Sequence, residues 1–115
     1  MQTNIIINLE FEGFHNWPAA KDVFPEVAFL SDRHRHIFKV CCKKKVTHSD
    51  RDVEIIMFKR EVLNYLYERY SKTIIPILEL GPLSCEMLSE ELLKQFDLEY
   101  CSVLEDGENG AEVCK

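Results

Sequence analysis

Two long stretches in which apolar and polar residues alternate constrain the fold of this chain most. They cover residues 3–14 (TNIIINLEFEGF) and 34–47 (HRHIFKVCCKKKVT). Because successive side chains of a β-strand point to opposite faces, the alternation predicts two half-buried strands. His15 closes the first strand. One face of the second strand would carry His34, His36, Phe38, Val40 and Cys42.

The remaining segments predict helices and a further strand. Residues 57–71 have apolar positions near helical spacing, and Ser84 is placed to cap a second helix, CEMLSEELLKQF. Residues 98–106 predict a strand, followed by a turn, GENG, and a short tail. We expect DVEII (52–56) to form a short strand before the first helix. TIIPILEL (73–80) should be a strand-like or irregular link, and the proline-containing segment 16–32 a long irregular excursion.

This order predicts an α+β fold, an antiparallel β-sheet with two helices packed on one face, in a single domain over residues 1–115. The net charge of −6 argues against nucleic-acid and membrane-surface partners. No apolar run approaches the roughly 18 residues that span a bilayer. Five cysteines without CxxC spacing, and no secretory signal, indicate reduced thiols in a cytoplasmic protein.

The histidines suggest a metal site. His34 and His36 point to the same side of a strand, and pairing of the first two strands could bring His15 beside them. Three neutral imidazoles held by rigid backbone can bind zinc. Exposed, solvated histidines would give the same spacing, and only His48 lies apart from this group.

Five motifs occur in a familiar order: FEGFH (11–15), HRH (34–36), VEIIMFK (53–59), LSCEMLSEEL (83–92) and SVLED (102–106). Together they resemble the 6-pyruvoyl-tetrahydropterin synthase and 6-carboxytetrahydropterin synthase family, over about residues 5–106. The resemblance implies the tunnelling fold (T-fold), homo-oligomers and a reduced pterin or purine-type nucleotide as ligand. It implies Zn²⁺ on His15, His34 and His36. Glu54 and Lys59 are similar to the family's central acidic residue and helical lysine.

The same resemblance assigns the pterin pocket. Ser84 and Glu86 correspond to the threonine-x-glutamate that opens the family's second helix, and Glu105 corresponds to the glutamate that anchors the ring. A carboxylate suits that task because it can accept two adjacent ring donors at once. Zinc would act as a Lewis acid on the ligand's side-chain oxygens.

Three departures from the family affect the chemistry. Leu30 stands where the family keeps its catalytic cysteine, no Asp-His pair follows the first long helix, and Arg35 replaces the glycine of the zinc motif. Substitute bases are Glu26, His48 and Asp50, with Asp52 and the Cys85 thiol as further candidates. Three functions stay open: a zinc-dependent lyase that eliminates phosphate with an altered base, a non-catalytic protein that sequesters or senses a pterin or nucleotide, and a structural T-fold subunit.

Overall fold

The computed structural model describes residues 1–115. It consists of a five-stranded β-sheet with helices packed against one face. The strands are β1 (Thr3–His15), β2 (His34–Val46), β3 (Ile77–Gly81), β4 (Tyr100–Glu105) and β5 (Asn109–Cys114), in the spatial order β3-β1-β2-β4-β5. The helices are α1 (Ala20–Val23), α2 (Ile55–Tyr70) and α3 (Cys85–Phe96), with a 3₁₀ helix over Pro25–Ser31. The architecture is therefore mixed α+β.

The two predicted long strands form the centre of the sheet. β1 and β2 have 13 residues each and pair antiparallel along their whole length, from Thr3 opposite Val46 to His15 opposite His34. Alternate residues of both strands face the core, as the sequence pattern predicts. This pairing places the last residue of β1 beside the first residue of β2.

The two long helices cover one face of the sheet and begin at side-chain caps. The Glu54 carboxylate accepts hydrogen bonds from the first backbone N–H groups of α2. Ser84 Oγ accepts one from Met87 N–H of α3 at 3.1 Å, which confirms the predicted cap. The apolar stripes of the helices meet the sheet in a single core of 18 buried residues, with Leu66, Leu92 and Val103 fully enclosed.

Three expectations about secondary structure are corrected. The segment after β1 contains α1 and the 3₁₀ helix instead of an irregular excursion. Residues 52–56 do not form a strand, because Glu54 turns the chain directly into α2. The tail forms β5, after a turn in which Asp106 and Gly107 adopt positive φ angles of 56° and 73°.

The sheet is also not purely antiparallel. α2 carries the chain back across the sheet, so that β3 pairs with β1 in parallel, from Glu12 opposite Ile77 to His15 opposite Gly81. Pro76 lies just before β3, where its missing N–H removes no ladder bond. No helix of the structure is both long and apolar enough to cross a membrane.

Candidate metal centre and adjoining cavity

Three histidines and one glutamate converge at one end of the core face. His15 ends β1, His34 and His36 begin β2, and Glu105 ends β4 opposite Phe38. One potential ligand atom from each side chain lies within 4.8 Å of the others. The chain thus brings together the three histidines that the sequence singled out, and it adds Glu105 to them.

Each imidazole is fixed by a hydrogen bond through Nδ1. His15 Nδ1 lies 2.9 Å from the Leu83 carbonyl oxygen, and His34 Nδ1 lies 2.8 Å from the Asp32 carbonyl oxygen. His36 Nδ1 lies 2.7 Å from Asp106 Oδ2. Carbonyl and carboxylate oxygens only accept hydrogen bonds, so we assign the proton of each neutral ring to Nδ1. The Nε2 lone pairs are then left free for a metal, in the pattern typical of metal-binding histidines.

Two of the Nε2 atoms, those of His15 and His36, face the Glu105 carboxylate. The Nε2 atoms of His15 and His36 are buried and make no hydrogen bond of acceptable alignment. Nε2 of His15 lies 2.9 Å from Glu105 Oε2, and Nε2 of His36 lies 3.7 Å from the same oxygen. Tetrahedral zinc with bonds of about 2.1 Å separates its ligand atoms by roughly 3.3 Å. These two separations bracket that value and all four ligand atoms lie within 4.8 Å of one another, so the group could hold a metal ion of this size.

The charges of the metal-free cluster are coupled. Burial acts to lower the pKa of His15, but the close contact with Glu105 Oε2, the hydrogen bond to the Leu83 carbonyl and the Glu105 charge outweigh it and raise the pKa. The same contact with His15 lowers the pKa of Glu105, against the effect of its burial. A cation at this position is therefore favoured by a carboxylate that stays ionised.

A cavity of about 450 Å³ opens beside the cluster. His15, His34 and Glu105 contribute to its wall, so a ligand in the cavity would lie next to a bound metal. Trp17, Leu30 and Met87 supply apolar surface. This combination of apolar wall and a few polar groups is typical of small-molecule sites.

The residues that the resemblance assigned to the pterin pocket all line this cavity, in different environments. Ser84 already accepts the hydrogen bond that caps α3, and Glu86 is exposed on the wall. Glu105 Oε2 lies 2.9 Å from His15 Nε2, so this carboxylate belongs to the candidate metal-ligand group as well as to the cavity wall. The resemblance compares Glu54 and Lys59 with the family's central acidic residue and helical lysine. In the structure Glu54 caps α2, and Lys59 lies outside the cavity.

The residues proposed as substitute catalytic bases lie away from the histidine and glutamate group. Glu26 is exposed on the 3₁₀ helix and does not line the cavity. His48 and Asp50 follow the far end of β2, a strand of 13 residues that spans about 40 Å. There His48 faces Asp52 at 3.6 Å, and Asp50 contacts Arg51. The structure does not bring these three candidates, nor Asp52, to the metal position.

Cys85 does line the cavity, but as a protonated thiol. Burial, then the charges of Glu105 and Glu86, raise its pKa to about 12. The alternative that the start of α3 lowers this pKa does not apply, because burial and the two carboxylates outweigh the helix terminus. Leu30, four residues before His34, is also on the cavity wall.

Sequence reasoning did not identify two residues of the site. Asp106 fixes His36, and its hydrogen bonds to the His36 ring and then to Ile37 N–H hold its pKa low. The Asp-Gly pair at 106–107 is a turn signal that could have revealed the hairpin. Trp17 lies in the excursion after β1, and no periodic pattern marks it as a cavity residue.

Comparison with known proteins supports the fold. No protein-family model and no curated protein matches the chain. Among solved structures, the crystal structure of an uncharacterized protein from Wolinella succinogenes matches with a TM-score of 0.57 and 13% sequence identity, covering 100% of this chain and 99% of that chain. At this identity the likeness shows the fold alone. The class defined by fold and site is an α+β protein with a histidine- and glutamate-lined group able to hold a metal ion.

Proposed function

We propose that the protein binds zinc through His15, His34, His36 and Glu105 and holds a small flat heterocycle, such as a reduced pterin or a purine, in the adjoining cavity. One observation carries the proposal: all three imidazoles are fixed through Nδ1, and one ligand atom from each lies within 4.8 Å of the others and of a Glu105 oxygen. Two of these nitrogens are buried without a hydrogen bond, an arrangement that is costly unless an ion or proton occupies the centre. A structural subunit with neither metal nor ligand would have no use for it.

The donor set favours zinc among the common metal ions. Imidazole nitrogens with one carboxylate oxygen are ligands that zinc accepts in tetrahedral geometry, whereas calcium and magnesium prefer sites made of oxygen alone. When bound, the metal would supply Lewis acidity toward an oxygen of a ligand in the cavity. His15 and His34, which reach both the cluster and the cavity wall, connect the two parts of the site.

The cavity supports membership of the T-fold synthase class in a modified form. Leu30, Ser84 and Glu86 all line it, at the positions that the family motifs assign to the active site. The family's cysteine base is replaced by Leu30, which has no titratable atom, and the Cys85 thiol on the same wall stays protonated. We therefore favour a binding protein that sequesters or senses its ligand over a lyase.

Self-association forms part of the same proposal. β3 pairs with β1 only from Glu12 onward, so the edge of β1 from Thr3 to Phe11 has no neighbour on that side. β3 and β5 are further open edges. Because unpaired edges invite pairing with another chain, a homo-oligomer would cover them.

Metal analysis of the purified protein tests the zinc site. We expect one zinc per chain in the wild type and its loss in His34→Ala. His48→Ala is the matched control, since His48 is the chain's one histidine outside the cluster and is exposed. Absence of stoichiometric zinc from the wild type, or equal zinc content in the two variants, would refute the site.

A second measurement separates binding from catalysis. Zinc-loaded protein is titrated with 7,8-dihydroneopterin by calorimetry and incubated with dihydroneopterin triphosphate while phosphate release is followed. We expect binding of dihydroneopterin, its weakening in Glu105→Ala, and no phosphate release above the protein-free rate. Release that depends on His34 would establish the lyase function instead.

A further inference from the structure

We propose that the cavity selects uncharged heterocycles and discriminates against their phosphate esters, an inference that rests on the proposed zinc and heterocycle site. The inference is carried by the position of the candidate metal-ligand group, which lies beside a cavity wall with two carboxylates and no lysine or arginine. Phosphate groups are commonly held by lysine or arginine side chains, and this wall has neither residue type.

The sum of charges at the zinc-loaded site is negative. Glu86 and Glu105 are the ionisable acids of the wall besides the Cys85 thiol, which is neutral. These two carboxylates balance the two positive charges of a zinc ion on neutral imidazoles, and the Asp106 carboxylate, 2.7 Å from His36 Nδ1, adds a further negative charge. A triphosphate would therefore lose hydration without meeting a compensating positive field.

The arginines that flank His34 in sequence do not reach the cavity. Strand alternation directs Arg35 to the opposite face of β2, where Nη1 lies 3.2 Å from Glu12 Oε2. The Arg33 guanidinium is 3.4 Å from the centroid of the Phe14 ring and pairs with Glu79. Both arginines therefore make their contacts on the face of the sheet opposite the histidine and glutamate group.

The N-terminus of α3 does not replace them. Its positive end points toward the cavity, but Ser84 Oγ accepts the Met87 N–H, and Glu86 places a carboxylate in the first turn. Apolar surface dominates what is left of the wall. Trp17 is 37% exposed and Met87 is 54% exposed, so both offer apolar area to a flat ring.

Calorimetric titration of the zinc-loaded protein with two probes tests this selectivity. The probes are 7,8-dihydroneopterin and its triphosphate, which share the ring. We expect the dissociation constant of the triphosphate to be higher by about tenfold or more, and the ratio to increase as salt is lowered, because screening of the repulsion decreases. Glu86→Gln removes one wall charge and should reduce the ratio to about half or less of its wild-type value.

Glu90→Gln is the matched control, because Glu90 lies on the same helix, is exposed and pairs with Lys94 at 2.7 Å. It should leave the ratio unchanged. Equal or tighter binding of the triphosphate overturns the inference and leaves the zinc and heterocycle proposal intact. Failure of both probes to bind overturns the inference together with the ligand part of that proposal, while zinc content reports separately on the metal part.

Discussion

The hydrogen bond between Asp106 and His36 offers a sharp test of the metal centre. Asp106 Oδ2 lies 2.7 Å from His36 Nδ1, and Oδ1 accepts the Ile37 N–H at 2.9 Å. In Asp106→Asn the amide oxygen must face Ile37, because that N–H needs an acceptor. The amide NH₂ group then faces His36 Nδ1 and forces the ring proton onto Nε2, the atom that should bind the metal.

The expected loss follows from this change of tautomer. Asparagine tolerates the left-handed conformation of residue 106, which has φ of 56°, so the turn should keep its shape. Removal of a carboxylate that orients a metal-binding histidine lowers metal affinity by about 10- to 100-fold. That range corresponds to about 1.4–2.8 kcal/mol of binding free energy.

Competition with a chelator of known affinity measures the zinc dissociation constant, and circular dichroism of the metal-free proteins checks that the fold is kept. Asp50→Asn is the matched control, because Asp50 is exposed in the loop after β2 and contacts only Arg51 through its side chain. Wild-type zinc affinity in Asp106→Asn, with the fold intact, would refute the assigned tautomers and the role of Asp106.

Three further predictions concern packing and thiol reactivity. A Cβ at Gly110 would lie 1.9 Å from a backbone oxygen of β4, so Gly110→Ala should lower the free energy of unfolding in urea by about 1–3 kcal/mol. Tyr70→Phe removes a hydroxyl that donates to the Glu91 carboxylate at 2.5 Å and should cost about 1–2 kcal/mol in the same assay; an unchanged midpoint would contradict this. Iodoacetamide at pH 8 should modify the exposed Cys114 first and leave Cys85 unmodified until the protein unfolds, as mass spectrometry can show, because Cys85 is buried and its pKa is about 12.

Strong local patterns made the main elements predictable. Alternation over a dozen residues placed β1 and β2 within a residue of their observed ends, and the Ser84 cap placed α3 at Cys85–Phe96. β5 was missed because a six-residue edge strand with exposed polar positions shows little pattern. The parallel pairing of β3 depends on where α2 crosses the sheet, which no local signal encodes.

The sequence predicted which residues belong to the site better than it predicted their contacts with one another. The histidines converge because β1 and β2 pair with His15 opposite His34, a register that the sequence suggests but does not determine. The contribution of Glu105 to the metal position depends on the pairing of β4 with β2, and that of Asp106 depends on the turn after β4. These are contacts about 70 residues apart in the chain, beyond the reach of spacing arguments.

Strand alternation also decides which departures from the synthase pattern matter. Arg35 replaces the glycine between two proposed zinc ligands, yet its side chain lies on the opposite face of β2, paired with Glu12, so the substitution leaves the metal position untouched. Leu30 stands on the cavity wall, where an apolar side chain cannot carry a proton. The metal half of the site is thus compatible with the sequence changes, whereas the residue at the position of the family's base is not titratable. This difference is why we propose binding in place of turnover.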